Sequence, residues 1–355
     1  MRDAMKGIPN LTLGLDLGDR YSYYCVLDRD GMVEEDGRVA TTTAALQRWF
    51  EGTERMRVIL EVGTHSPWVS RLLTRCGHDV LVANPRRVRL IAENDNKTDR
   101  VDAEPLARLG RVDPQLLHPI QHRGAQTQEA LAVVRARDTH VRARTQLVNH
   151  VRGSVKAVGS RLPKTSTASF AKHVSAHLPP ALGPALAPVL ATIAQLTQQI
   201  RAYDRTIEEL ATTQYPETRL LRQVTGVGPV TALTYVLTLE DPLRFARSRA
   251  VGAFLGLRPR KRDSGERTPE LSISKHGDVF LRRLLVSAAH YIIGPFGPDC
   301  DLRQWGLKLA ARGGKNAKKR AVVAVARRLS VLLHRLWVTG EVYEPLRHAT
   351  RRAAA

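Results

Sequence analysis

The first 110 residues alternate between strand-like and helix-like segments in an order that few folds accommodate. Three strand-like runs come first, at residues 11–17, 21–28 and 32–39, and short polar turns join them. Helix-like and strand-like segments then alternate, at residues 42–51, 57–62, 67–76, 80–83 and 99–110. The order βββαβαβα predicts a mixed sheet that begins with a meander.

This order is that of a ribonuclease-H-like fold, so we expect an α/β domain at the amino end of the chain. Beyond it, residues 126–161 are helix-prone and rich in arginine, and residues 163–188 are broken by prolines and indicate a linker. Helical patterns dominate the rest. The predicted fold class is therefore α/β plus α: a ribonuclease-H-like domain, a helical coiled-coil middle and a mostly helical end.

Four carboxylates stand where this fold would bring them together. Asp16 lies inside the first apolar strand, Glu61 ends another, and Asp99 and Asp102 share one face of a helix that Thr98 can cap. A carboxylate in an apolar run is costly to bury unless a cation compensates it, and the first and fourth strands of such a sheet are neighbours. Mg²⁺ prefers such oxygen ligands, and a metal pair about 4 Å apart can promote phosphodiester cleavage.

The alternative for these acids is structural. Asp16 would then cap a turn, and Asp99 and Asp102 would lie on a solvated first helical turn, where acids are favoured. Each acid taken singly fits this interpretation. The set of four, together with the order of segments, favours a magnesium site.

The positive charge of the chain is concentrated outside the predicted α/β domain. Lys and Arg number 55 against 34 Asp and Glu, a formal charge of +21, which favours a nucleic acid partner. Residues 1–110 carry −1, residues 111–300 carry +12 and residues 301–355 carry +10. We therefore expect chemistry in the first segment and nucleic acid binding in the others.

The cysteines and the hydropathy of the chain indicate in which cellular compartment the protein is expected. The three cysteines are scattered and form no C-x-x-C pair, which predicts a reducing, cytoplasmic setting without disulfides. No apolar stretch approaches the ~20 residues that a bilayer span needs, so no membrane partner is expected.

A later segment carries apolar residues at alternating spacings of three and four. They are Leu186, Val189, Ile193, Leu196, Ile200, Tyr203, Ile207 and Leu210. Such a stripe is typical of a coiled coil and predicts self-association, because it is narrower than the apolar face of most helices packed inside a monomer. The alternative is a helix packed within its own chain.

Two short apolar stretches between residues 220 and 233 are hinged on Gly226 and Gly228 and resemble a helix-hairpin-helix. Glycines let the backbone approach a phosphate, and the second helix offers unpaired N–H groups to the anion. The expected contact is with the nucleic acid backbone rather than the bases. A plain turn between two core helices is the alternative.

A turn-rich loop at residues 256–269 places the hydroxyl of Ser264 among several cations. The cations are Arg258, Arg260, Lys261, Arg262 and Arg267. They can hold a phosphate and stabilise charge developing on it, although a serine before glycine is also a common turn residue. A second basic cluster heads the last helical segment and is expected to contact nucleic acid. It comprises Lys315, Lys318, Lys319 and Arg320.

Taken in order, these motifs resemble the DEDD transposases of the insertion sequence 110 family. The resemblance spans residues 12–345. It rests on Asp16, Glu61, Thr-Asp-Arg-Val-Asp at 98–102, Val-Thr-Gly-Val-Gly-Pro at 224–229, Gly-Leu-Arg-Pro-Arg at 256–260, Asp-Ser-Gly-Glu at 263–266 and Ser-Lys-His-Gly-Asp at 274–278.

The resemblance implies a division of the chain. Residues 10–112 would form a RuvC-like domain carrying the four acids, and residues 113–215 an arginine-rich helix, a linker and a coiled coil. Residues 216–345 would form a transposase domain with the helix-hairpin-helix and the serine loop, and residues 346–355 a basic tail.

The resemblance also implies a mechanism and partners. Ser264 would be the nucleophile that becomes covalently joined to DNA, and Asp16, Glu61, Asp99 and Asp102 would bind magnesium. A noncoding bridge RNA would guide the recombination of donor and target DNA. Dimers would assemble into a tetramer in which the acids and the serine come from different protomers, in the bacterial cytoplasm at the nucleoid.

Two other functions remain open at this point. A metal-dependent junction resolvase of the same fold would cut with water and leave Ser264 a loop residue; a covalent protein-DNA adduct distinguishes the two. An inactive nucleic-acid-binding regulator is the second, and the intact set of four acids argues against it.

Overall fold

The computed structural model describes residues 9–84, 99–262 and 271–347, and packing divides the chain into two units, Met1–Ala125 and Gln126–Ala355. The first unit contains a five-stranded sheet in the order β3-β2-β1-β4-β5. Its strands are β1 Thr12–Leu17, β2 Tyr21–Leu27, β3 Val33–Ala40, β4 Arg57–Glu61 and β5 Asp79–Ala83. Strands β1, β2 and β3 pair antiparallel, whereas β4 pairs parallel with both β1 and β5.

The described α-helices that lie wholly in this unit are α1 Thr43–Glu51, α2 Ser66–Arg75 and α3 Asp99–Val112, and a short 3-10 helix follows at Pro114–Leu117. The predicted order βββαβαβα is confirmed, and the mixed sheet is compatible with a ribonuclease-H-like fold. Helix α1 begins where Thr42 accepts a hydrogen bond from the backbone N–H of Ala45, as an N-cap threonine does.

The sheet is covered on both faces because its central strands are apolar on both. Side chains alternate along a strand, so Leu13, Leu15 and Leu60 pack on one face, in a core shared with α1 and α2. Ile59 points the other way and packs with Leu106 of α3. The two faces therefore carry different helices: α1 and α2 lie on one, and α3 lies on the other with Leu117 of the short 3-10 helix Pro114–Leu117.

The second unit is helical in its described part. Its helices are α4 Ala125–Ala157, α5 Phe170–Val174, α6 Gly183–Thr213, α7 Thr218–Arg222, α8 Pro229–Leu239, α9 Arg249–Phe254, α10 Val279–Ile293, α11 Asp301–Ala310 and α12 Ala317–Thr339. Helix α8 is buried from Thr231 to Leu239 and lies in the largest core. The hydroxyl of Tyr235 donates to the carbonyl of Ser330 in α12 at 2.6 Å, which satisfies a polar group inside that core.

Helices α4 and α6 form a long antiparallel pair. Arg137 donates to the carboxylate of Asp204 at 2.6 Å. About two helical turns later in α4, Arg144 donates to the hydroxyl of Thr197 at 3.2 Å. Because the later residue of α4 meets the earlier residue of α6, the two helices run in opposite directions. Arg144 is buried, and burial lowers the pKa of its guanidinium.

The apolar stripe that predicts self-association is largely occupied within the chain. Leu186, Ile193, Ile200 and Ile207 of the stripe are buried in the single chain. Leu186 and Ile193 share a cluster with residues 148–155 of α4, and Ile207 shares another with residues 130–134. The alternative interpretation, a helix packed within its own chain, accounts for these residues. Self-association stays a prediction, but this stripe no longer supports it.

Residues 163–188, interpreted as a linker, contain structure. Phe170 and Val174 of α5 are buried, and α6 already begins at Gly183 with Pro184 in its first turn, where proline is tolerated. The cluster around Ile207 also includes Leu233 of α8, so helices on both sides of the predicted boundary at residues 215 and 216 share one core. The domain bounds stay a prediction.

One described stretch, Pro180–Thr213, is long and apolar enough by length and composition to cross a membrane, which corrects the expectation that no segment qualifies. It consists of α6 and the turn before it. Its apolar stripe packs on α4, and its exposed positions include Arg201 and Arg205. This pattern is that of an amphipathic helix that packs one face on a neighbouring helix.

Candidate active site

Two of the predicted acids are neighbours at one edge of the sheet. Strands β1 and β4 are parallel, and their register pairs Gly14 with Ile59 and Leu15 with Leu60. Continued by one residue, this register sets Asp16 beside Glu61, on strands about 4.8 Å apart. Both residues are half-buried.

The two carboxylates also point to the same face. Asp16 is two residues after Gly14, and Glu61 is two residues after Ile59, so each shares the face of its predecessor. Ile59 packs with Leu106 of α3, and a β-carbon added to Gly14 would lie 2.0 Å from the carbonyl oxygen of Ala103 in α3. Asp16 and Glu61 therefore project toward the side of the sheet that carries α3.

Helix α3 runs roughly antiparallel to β1. Near its end, Arg111 donates to the carbonyl of Asp30 at 3.0 Å, and Arg108 donates to that of Gly31 at 3.2 Å. These carbonyls follow β2, whose Leu27 pairs with the first residue of β1, so they lie at the amino end of β1. The first turn of α3, with Asp99 and Asp102, is therefore directed toward the strand ends that carry Asp16 and Glu61.

The four acids differ in how far the structure describes and buries their side chains. Asp99 begins α3, but its side chain lies outside the described part, and Asp102 is exposed in the first turn. Among the described side chains, no group of three His, Cys, Asp or Glu is close enough to hold a metal ion. The donor set still fits Mg²⁺, because two half-buried carboxylates share one edge and a third is exposed at the start of α3.

A test of how α3 is held uses Gly14. The Gly14→Ala substitution would place a β-carbon at 2.0 Å from a backbone oxygen of α3, so the helix must move away. We expect the free energy of unfolding to fall by about 1–3 kcal/mol, the usual cost of overpacking, and strand cleavage to weaken with it. Urea unfolding followed by circular dichroism measures the first effect.

The matched control is Gly63→Ala, where no atom lies within 4 Å of an added β-carbon. That variant should unfold within about 0.5 kcal/mol of the parent. Equal stability of the Gly14 and Gly63 variants would contradict the close seating of α3 on β1.

The same strand ends carry further polar groups, among them His122, which its spacing from His118 and the intervening Pro119 predict to be structural. The Nε2 atom of His65, after β4, lies 3.5 Å from a carboxylate oxygen of Asp19 in the turn between β1 and β2. The hydroxyl of Ser66 lies 2.8 Å from Nε2 of His122. Burial lowers the pKa of His122, and two nearby arginines lower it further, so this histidine favours its neutral form. Their partners come from separate segments, so spacing alone gives no signal.

Ser264 lies outside the described residues, but both arms of its loop are described. Arg260 donates its backbone N–H to the carbonyl of Ser272 at 3.1 Å, and Ser274 donates to the carbonyl of Arg258 at 2.8 Å. The arms thus pair antiparallel and begin at Gly256, whose added β-carbon would lie 2.0 Å from a backbone oxygen. All four described cations of the loop are exposed: Arg258, Arg260, Lys261 and Arg262.

The remaining predicted nucleic acid contacts lie on the surface of the second unit. Gly226 has φ of +93°, a conformation that favours glycine, in the turn between α7 and α8, and Gly228 caps α8 with open space around it. The local order of helix, glycine turn and helix agrees with the sequence, while the helix-hairpin-helix assignment stays a prediction. The basic cluster at the head of α12 is exposed: Lys315, Lys318, Lys319 and Arg320.

Comparison with known proteins matches both units to one family. A DEDD transposase model of the IS110 group matches residues 13–159, which include the strands, α3 and Asp102. A second model, for transposases of the IS116/IS110/IS902 family, matches residues 218–299, from α7 to beyond α10. The chain belongs to the IS110 family of DEDD transposases. It is thus an enzyme of DNA transposition, and DNA is its partner.

Curated relatives of this transposase match it along most of its length. The transposase for insertion sequence element IS1111A of Coxiella burnetii is 27% identical, over 96% of this chain and 93% of its own. A probable family 20 transposase of Pseudomonas aeruginosa is 28% identical, over 94% and 98%. The transposase for IS1328 of Yersinia enterocolitica is 28% identical, over 79% and 84%. The similarity therefore extends through the stretch between the two family matches.

Proposed function

We propose that this transposase cuts and rejoins DNA strands with Asp16, Glu61, Asp99 and Asp102 as a magnesium-binding set and Ser264 as the nucleophile. The observation that carries the proposal is the register of β1 and β4, which sets Asp16 beside Glu61 on the face that α3 covers. The direction of α3 supports the inclusion of the two acids in its first turn.

The four acids would hold Mg²⁺ at the carboxyl ends of β1 and β4. Carboxylate oxygens are the ligands that this ion prefers, and adjacent carboxylates repel one another unless a cation lies between them. When bound, magnesium stabilises the charged oxygens of an in-line displacement at phosphorus. The protein's own part is to fix the carboxylates on two rigid strands and one helix.

The serine step exchanges one phosphodiester for another. Ser264 Oγ forms a bond to phosphorus as the bond to the departing strand oxygen breaks; the serine proton is lost and the departing oxygen takes up a proton. Rejoining reverses these events, with a strand hydroxyl attacking and Ser264 departing. The exposed cations of the loop, among them Arg258 and Arg260, are placed to bind the phosphate while charge develops.

The acids and the serine loop belong to different units, so the reaction requires the two to meet on DNA. We propose that they do so in a homo-oligomer, a dimer or a tetramer, in which one protomer supplies the acids and another the serine. A noncoding guide RNA is proposed to select donor and target sequences. These partners are consistent with a cytoplasmic, nucleoid-associated protein.

The DNA backbone is proposed to contact three exposed features of the second unit. These are the glycine turn at Gly226 and Gly228, acting as a helix-hairpin-helix, the serine loop, and the basic head of α12. Each offers backbone N–H groups or cations, which bind phosphates whatever the base sequence. Sequence selection by a guide RNA is compatible with this division.

Metal dependence tests the proposal directly. We expect strand cleavage by the full chain, with its DNA and guide RNA, to require Mg²⁺, to stop in EDTA and to return when magnesium is restored in excess. Gel electrophoresis of labelled DNA measures cleavage, and a mobility shift in the same buffers measures binding. Cleavage that persists in EDTA would contradict the proposal that the four acids act by binding magnesium.

A further inference from the structure

We propose that a groove between α4 and α10 binds a single strand of DNA, with an unpaired base stacked at Phe280 and phosphates bound by Arg142 and Arg283. The groove has a volume of about 600 Å³, within the range of pockets that take small organic ligands, so it accommodates a nucleotide. Its lining includes Arg142, Thr145, Asn149, Phe280, Arg283 and Leu284. The inference rests on the proposed function only in taking DNA as the partner.

The groove carries a net positive charge, and its guanidinium groups are held in place by an ion pair each. Asp138 pairs with Arg142, whose Nε lies 3.1 Å from the carboxylate, and also with Arg283 across the groove. One carboxylate thus orients two guanidinium groups, which leaves a net positive charge. The arginine side chains are 65% and 48% exposed, whereas Asp138 is only 16% exposed. Each guanidinium has five N–H donors, so both can also bind a phosphate.

An aromatic platform adjoins these cations. The guanidinium carbon of Arg283 lies 5.2 Å from the centroid of the Phe280 ring. Bases stack on aromatic rings and on guanidinium planes, and this combination is typical of sites that bind single strands. The hydroxyl of Thr145 and the amide of Asn149, on the facing helix, supply hydrogen-bonding groups for a base edge.

The geometry favours a single strand over a duplex. Two ion pairs, Arg283 with Asp138 and Arg135 with Asp278 at 2.8 Å, cross between α4 and the start of α10 and tie the two helices together. A base in a duplex is already stacked between its neighbours and cannot reach Phe280 without being unstacked. An unpaired strand has no such cost.

The groove continues toward the glycine turn. Leu284 also lines a second depression, together with Gly226, Gly228 and Tyr291. From Phe280 to Tyr291 the helix rises about 16 Å, so a strand leaving the groove along α10 reaches the turn proposed to bind phosphates. Tyr291 is 45% exposed and offers a second ring along this path.

The test is fluorescence anisotropy with the full chain and a labelled oligothymidylate of about 16 nucleotides, in EDTA so that no cleavage occurs. We expect Phe280→Ala to weaken binding about tenfold and Phe280→Trp to retain it, because tryptophan preserves stacking. The Val279→Ala variant, which alters the exposed neighbour, should bind as the parent does. Circular dichroism confirms that each variant folds.

The cations are tested by salt dependence. The double variant Arg142→Gln with Arg283→Gln should reduce the slope of log affinity against log salt by about 1.4, from two lost phosphate contacts. The charge-matched control, Arg201→Gln with Arg205→Gln on the exposed face of α6, should leave the slope within about 0.3 of the parent.

Two further probes identify the occupant: an oligouridylate of equal length and a DNA duplex. A loss confined to the single-stranded DNA, or largest there, supports the proposal. Parental affinity of the Phe280→Ala and double-arginine variants for oligothymidylate, an effect confined to RNA, or an equal loss with duplex would each overturn it. Since the assay contains no metal, its outcome is independent of the magnesium proposal.

Discussion

We expect the Asp16→Asn variant to lose strand cleavage by about 10³-fold or more while it binds DNA nearly as well as the parent. Asparagine keeps the shape of the side chain and removes its charge. With Asp16 beside Glu61, the loss of one charge leaves a single carboxylate at this edge of the sheet to attract magnesium. A factor of 10³ corresponds to about 4 kcal/mol of lost transition-state stabilisation.

The affinity of this variant for DNA should be unchanged, because a carboxylate repels phosphates and its removal takes away no attractive contact. Asp102→Asn should behave in the same way. Asp30→Asn is the matched control, since Asp30 is an exposed acid at the opposite end of β1, next to the end of α3. Near-normal cleavage by Asp16→Asn, with magnesium as the only divalent ion, would contradict the assignment of Asp16 as a metal ligand.

The second large effect is expected at Ser264, which lies outside the described residues. Incubation with cognate DNA, guide RNA and Mg²⁺, followed by denaturation, should leave a covalent protein-DNA adduct that peptide mass spectrometry places on Ser264. Ser264→Ala should eliminate the adduct, because alanine has no oxygen to attack phosphorus. Ser154→Ala, in α4, should form the adduct as the parent does.

The hydroxyl of Ser264 needs activation, since it is a weak nucleophile at neutral pH, and the described part of its loop supplies only cations. The adduct should therefore require the acid set, and Asp16→Asn should prevent its formation. If Ser264→Ala still cleaves DNA, water is the nucleophile and the transposase cuts in the manner of a junction resolvase.

The sequence predicts the strands of the sheet and the adjacency of β1 and β4 well, because both follow from the pattern and order of the segments. Alternation along a strand sets which residues share a face, and the order of segments sets which strands are neighbours. Strand β4 is expected at residues 57–62 and is found at Arg57–Glu61. Two residues on such strands are thereby paired without any knowledge of the packing that surrounds them.

The apolar stripe of α6 shows where this reasoning stops. Its spacing states that a partner surface must cover Ile193 and Ile200, but not which chain supplies it. For Ile193 the structure supplies residues 148–155 of α4 in the same chain, 38 to 45 residues earlier. The prolines before the stripe also suggested a longer break than exists, because proline is compatible with a first helical turn.

The groove between α4 and α10 could not be predicted from the sequence, for a related reason. Arg283 and Asp138 are 145 residues apart, and neither stands in a recognisable motif. Only the packing of the two helices brings the ring of Phe280 and these charges to one place. Phe280 itself has the spacing of an ordinary residue on an amphipathic helix.

The antiparallel pair of α4 and α6 fixes a distance within the second unit. Helix α6 has 31 residues and is therefore about 46 Å long, close to the rise of 14 base pairs of B-form DNA. Its end at Ile207 is anchored on α8, and its start at Leu186 is anchored on Phe170. Removal of seven residues from each helix would shorten this span by about 10 Å and nearly preserve the facing surfaces. The distance between the clusters at the two ends of α6 is thus adjustable in steps of two helical turns.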